Sequence, residues 1–84
     1  MIKVKYFARL GEALEFKEEE IKLDDDCHTI ADLLGLLRGR GEPWVSEFSA
    51  ESSVLMALNH EMSNASAKLK SGDEVGFFPP VTGG

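Results

Sequence analysis

Apolar and polar positions alternate from the second residue onward. Ile2, Val4, Tyr6 and Ala8 fall on one side of the chain, and Lys3, Lys5, Phe7 and Arg9 on the other. A period of two over this length predicts a half-buried strand. Leu10-Gly11-Glu12-Ala13-Leu14 reads as a turn or a single helical turn, and residues 16–23 then alternate weakly, with Ile21 and Leu23 on one side. That predicts a polar second strand. Two short neighbouring strands pair most simply as an antiparallel hairpin.

The period then changes. Ile30, Leu33, Leu34 and Leu37 stand at i, i+3, i+4 and i+7, the apolar stripe of a helix. Thr29 sits where an N-cap belongs, and Asp32 can return a bond to the cap, although its side chain is shorter than the usual Glu. Arg38 and Arg40 suit the negative end of the helix dipole, and Gly39 or Gly41 can supply a left-handed cap. Gly35, inside the helix at a cost of about 1 kcal/mol, predicts close packing at that point.

Residues 42–53 read as a connection, in which Pro43 to Phe48 can form a short helical turn with Pro at its first position. Trp44 and Phe48 are most simply core or edge packing. Residues 54–58 predict a strand, which Asn59-His60-Glu61 turns into a shorter one near Met62. Residues 68–73 form a turn with Gly72 as its permissive position. Residues 74–78 are the last strand, with Val75 and Phe77 on one face. One helix must cover one face of a small mixed sheet, so the fold class is α+β. Repeats, low-complexity tracts and linkers are absent. The organisation is one domain over residues 1–78 and a projecting tail over 79–84.

Size narrows the function. A chain of 84 residues makes one domain and buries only about 60% of its unfolded surface. That argues against a self-contained enzyme and for a carrier, a modifier or a subunit. The longest aliphatic run, residues 54–58, falls far short of the roughly 20 residues that span a bilayer, and the charged start does not fit a signal peptide. A single cysteine excludes an internal disulfide and suits a reducing compartment. The expectation is a soluble, cytoplasmic protein with no membrane partner.

The charge of −6 is local. Glu12 to Asp26 hold eight acids and two lysines, while the other 69 residues carry seven of each sign. A polyanion needs a basic stripe, so nucleic acid is excluded as a partner. Proteins with basic surfaces are favoured through long-range steering. A solvated edge hairpin kept soluble by its charges gives the same pattern.

The chain ends Phe77-Phe78-Pro79-Pro80-Val81-Thr82-Gly83-Gly84. Two prolines stop the strand and stiffen the chain into an extended form. Six residues from Pro79 reach roughly 20 Å when extended, and a glycine pair passes a channel too narrow for any Cβ. Such a tail suits presentation of the terminal carboxylate to another protein's active site. A frayed terminus is the other reading.

Phe77 to Gly84, preceded by Gly72-Asp73-Glu74-Val75, resembles the C-terminal signature of the molybdopterin synthase small-subunit family, ubiquitin-like β-grasp sulfur carriers. The opening Lys3-Val4-Lys5-Tyr6-Phe7-Ala8-Arg9, the Thr29-capped helix with Ala31-Asp32-Leu33-Leu34, and Ala57-Leu58-Asn59 also fit. Gly76 and Gly35 stand where other small residues would fit too. The resemblance implies that an adenylating enzyme similar to those of the ubiquitin system activates the Gly84 carboxylate with ATP. A sulfur donor protein then displaces AMP and leaves a C-terminal thiocarboxylate. It implies that Pro79, Pro80, Val81, Thr82 and Gly83 enter the large subunit of a heterotetramer, where a pterin precursor receives the sulfur. The catalytic acids and bases would belong to that partner, and no cofactor would be bound stably here.

Phe7 and Phe78 are large aromatics on nominally solvent-facing positions, and with Met62 they predict an exposed apolar patch. The resemblance implies that this patch docks both partners. Other sites are weaker. Cys27-His28 at the helix start lacks further soft ligands except His60, so no metal site is expected. Glu18-Glu19-Glu20 and Asp24-Asp25-Asp26 lack the glycine of a calcium loop, since Thr29 stands at the sixth position from Asp24. Gly35 to Gly41 ends a helix and cradles no phosphate. The alternatives are a ubiquitin-like protein modifier, a thiamine or tRNA-thiolation sulfur carrier, and a binding module without tail chemistry.

Overall fold

The computed structural model describes residues 1–23, 27–49 and 54–79. The chain runs through β1 (Ile2–Tyr6), α1 (Arg9–Leu14), β2 (Glu18–Ile21), α2 (Ile30–Arg38), α3 (Trp44–Glu47), β3 (Leu55–Leu58), β4 (Glu61–Ser63) and β5 (Glu74–Phe78). Among the described residues the strands form one mixed sheet in the order β2-β1-β5-β3-β4, with β1 and β5 parallel and the other neighbours antiparallel. The hairpin β1–β2 and the α+β class are as the sequence pattern predicts.

The sheet has two unlike faces because its side chains alternate. Ile2, Val4 and Tyr6 of β1 and Val75 and Phe77 of β5 point under the helices and are buried. The apolar stripe of α2, Ile30, Leu33, Leu34 and Leu37, closes over them. Each such side chain contributes about 1.5–3 kcal/mol when fully buried. Trp44 and Phe48 complete an aromatic cluster, with Phe48 edge-on to Phe77 at 5.1 Å and Tyr6 edge-on to Trp44 at 5.5 Å.

The start of α2 is tied to a distant loop. Thr29 Oγ1 accepts from the Asp32 amide at 3.2 Å, and the Asp32 carboxylate accepts from the amides of Thr29 and His28 at 3.0 and 2.9 Å. The short aspartate therefore closes the capping box in full. These donors hold its carboxyl below the usual range. The next free amides, those of Ile30 and Ala31, donate to the carbonyls of Ala67 and Ala65, so every early amide finds an acceptor.

Three local expectations need correction. Ala8 does not continue β1: it is exposed at φ 55° and starts α1. Gly35 is exposed with open space where a Cβ would stand, so the stripe it interrupts is on the other side of the helix and no close packing explains it. Of the two glycines expected to offer a left-handed residue after α2, Gly41 does so at φ 90°, while Gly39 is right-handed. Pro43 precedes α3 as its cap residue and does not occupy its first position. The helical turns expected at residues 10–14 and 43–48 are the short helices α1 and α3, which fill the ends of the core.

Candidate docking face and tail

The face of the sheet away from the helices carries the candidate site. Phe7 continues β1 by one residue, its amide donating to the Phe77 carbonyl at 3.0 Å, which turns its ring opposite to Tyr6. Phe78 leaves β5 on the same side, and the two rings stack at 4.6 Å with planes 7° apart. Gly76 forms the floor between them: a Cβ there would stand 2.9 Å from Phe7 Cε2. Other small residues therefore do not fit at Gly76 without moving Phe7, contrary to the expectation from sequence.

The ladder brings Met62 into the same group. Ala57 pairs with Gly76 on one side and with Met62 on the other. A hollow of about 180 Å³ results, lined by Phe7, Phe78, Gly76, Ala57, Met62 and His60. Phe7 is 38% exposed and Met62 66%. The three residues that the sequence marks as a patch thus lie together.

Sequence reasoning missed Leu55, which pairs with Phe78 across the β3–β5 ladder and is 38% exposed. The missing signal was register, since the strand was recognised but not what it faces. A charged rim was missed as well. Glu74 Oε2 lies 3.7 Å from Lys5 Nζ and 3.3 Å from His60 Nε2.

At the end of β5 the chain leaves the sheet through Pro79, which lines a second hollow with Arg9, Ala13 and Val54. Pro80, Val81, Thr82, Gly83 and Gly84 lie outside the described residues, as do Asp24, Asp25 and Asp26 of the acidic segment. Cys27 is buried among core side chains. Among the described residues, no group of three or more His, Cys, Asp or Glu side chains is placed to hold a metal ion. Nor is any described helix long and apolar enough to cross a membrane.

A family model described as the ThiS family matches residues 4–84, through to the last glycine. The chain belongs to the ThiS family. Among its curated relatives is a molybdopterin synthase sulfur carrier subunit of Haemophilus influenzae, 33% identical over 84 residues that cover the whole of both chains. The protein of the same name from Chlamydomonas reinhardtii is 38% identical over 85 residues, covering 99% of this ThiS-family chain and 98% of its own. A solved structure of H. volcanii small archaeal modifier protein 1 superposes with a TM-score of 0.75 at 26% identity, covering 95% of this chain and 97% of that one. The mixed sheet and its helices are those of the ubiquitin-like β-grasp sulfur carriers.

Proposed function

We propose that this chain is the sulfur carrier subunit of a molybdopterin-forming synthase. The observation that carries the reading is the family match through Gly84, joined to full-length relatives that are themselves named sulfur carrier subunits. A carboxylate resists nucleophilic attack, so the Gly84 carboxylate is first joined to AMP by an adenylating enzyme, with pyrophosphate leaving ATP. The outer sulfur of a persulfide on a donor protein then displaces AMP to give an acyl disulfide. A thiol attacks the donor's sulfur, forming a disulfide with it and releasing Gly84 as a thiocarboxylate. That soft nucleophile bonds through its sulfur to a pterin precursor within a larger partner subunit, which supplies the acids and bases. Water then cleaves the acyl–sulfur bond, leaving the sulfur on the pterin and restoring the Gly84 carboxylate. The carrier itself works in the cytoplasm.

In this reading the open face and the tail act together. Phe7, Phe78, Leu55 and Met62 form an apolar surface, and Phe78 is followed directly by Pro79, where the tail begins. Docking there sets the origin of the tail against the partner, and the small residues Gly83 and Gly84 reach into its active site. The test is intact mass after incubation with the adenylating enzyme, ATP and a sulfur donor. One oxygen-to-sulfur exchange mapped to Gly84 is expected, with none in the chain lacking Gly84. An unchanged mass with active enzymes would overturn the assignment.

The similarity to a small archaeal modifier favours one second reading, transfer of Gly84 to lysines of other proteins. It predicts isopeptide-linked ladders in native extracts. Their absence, together with a thiocarboxylate on Gly84, separates the carrier from the modifier.

A further inference from the structure

Phe7 is the wall between two hollows, and only one of them belongs to the patch it forms with Phe78 and Met62. Its other side borders an open groove of about 620 Å³ between the end of β1, α1 and the start of β2. The floor is apolar, built from Phe7, Ala8, Gly11 and Phe16. Phe16 is 46% exposed although it touches Trp44 at 5.8 Å. With Phe7 it puts two half-exposed rings on one groove, and contiguous exposed apolar surface of that kind marks interaction sites.

The groove is kept open by backbone. Gly11 packs so closely that a Cβ would lie 2.7 Å from the Tyr6 carbonyl oxygen, which seats α1 low against β1. Ala8 and Glu15, at the two ends of α1, both hold positive φ, 55° and 62°. Glu12 and Glu15 rim the groove and make no ion pair with any described residue, whereas Glu18 shares Lys3 at 3.9 Å. Of the two lysines that also line it, Lys5 is held by Glu74 at 3.7 Å, which leaves Lys17 beside the two free carboxylates. They begin the stretch that carries the whole net charge of the chain, eight acids against two lysines between Glu12 and Asp26.

We infer that the docking face continues past Phe7 into this groove, and that its occupant is an apolar side chain of the partner subunit flanked by lysine or arginine. Continuity through Phe7 argues for the same partner, and the unpaired carboxylates beside an apolar floor argue for its chemistry. The inference rests on the docking reading of the open face. It gives the acidic segment a task, selecting which protein may use the tail.

The test uses the full chain and the molybdopterin synthase large subunit encoded in the same genome, with association rates read at low and high salt. The double variant Glu12→Lys/Glu15→Lys is expected to slow association about tenfold at low salt and to flatten its salt dependence. Phe16→Ser is expected to speed dissociation about tenfold, with a thermal melt confirming that the variant folds. Phe78→Asp reports separately on the patch. Should Phe78→Asp abolish binding while both groove variants bind like the parent chain, the groove inference is overturned and the docking reading stands. If the parent chain does not bind at all, both fall.

Discussion

Phe7 lies flat on Phe78, ring on ring at 4.6 Å, over a residue with no side chain. The stack joins the end of β1 to the end of β5 on the open face. Neither ring belongs to the buried core, so the pair adds only the 0.5–1.5 kcal/mol or so typical of aromatic contacts. Replacing either with aspartate is expected to lower stability by about 1–2 kcal/mol and leave a cooperative thermal transition. Partner affinity, measured by calorimetric titration, is expected to fall by more than tenfold, as for a central aromatic anchor. Equal affinity in both variants and the parent chain would remove the patch from the mechanism.

Gly11 is under a different constraint. The atoms nearest an added Cβ are the carbonyl oxygens of Tyr6 at 2.7 Å and Phe16 at 3.1 Å, and backbone cannot swing aside as a ring can. Gly11→Ala is therefore expected to cost about 1–3 kcal/mol through overpacking. For a domain of this size that lowers the melting temperature by about 4–8 °C per kcal/mol. Gly35→Ala, in open space within α2, is the matched control, expected to stabilise by up to about 1 kcal/mol.

These two glycines show what sequence could and could not reveal. Period-two and period-3.6 patterns depend on local sterics and burial, so β1, α2 and β5 were legible with their faces. Thr29 was legible because a cap is a local event. Which neighbour a glycine meets depends on packing between elements far apart in sequence, and no local pattern carries that. The same holds for Leu55, whose place beside Phe78 comes from strand order alone. Phe7 and Phe78 were legible because alternation put them opposite buried partners. The chemistry of Gly84 was read from a motif, not from any contact.

Asn59 holds the β3–β4 turn to β5. Its Nδ2 donates to Asp73 Oδ1 at 3.0 Å, its Oδ1 accepts from the Glu74 amide at 3.0 Å, and its own amide donates to the Glu74 carbonyl at 2.8 Å. It also holds φ 51°. Asn59→Ala leaves the buried Asp73 carboxylate one donor short and is expected to cost about 2–3 kcal/mol. Asn59→Gly loses the same bonds without the backbone strain, so its smaller deficit in denaturant unfolding isolates the cost of positive φ.

The link between Glu19 and Arg40 sets the pH response. Arg40 donates to both carboxylate oxygens at 2.8 Å, and Tyr6 Oη donates to Glu19 Oε2 at 2.7 Å, with the guanidinium 4.5 Å above the Trp44 ring. Arg40 holds the Glu19 carboxyl below its ordinary value near 4.5. A carboxylate with a lowered folded value contributes stability above its unfolded value, and that contribution is lost as pH falls through the folded one. Burial and the Glu19 carboxylate push the Tyr6 phenol upward, so its contribution is complete below pH about 10 and lost above it. Glu19→Gln is expected to cost about 1–2 kcal/mol at pH 7. Melts taken downward from pH 5 should show the gap between parent and variant narrowing, because the parent alone loses a charge-assisted pair. A gap that stays constant to pH 2 would mean that Glu19 titrates alike in the folded and unfolded chains, and that the pair with Arg40 holds no net charge interaction.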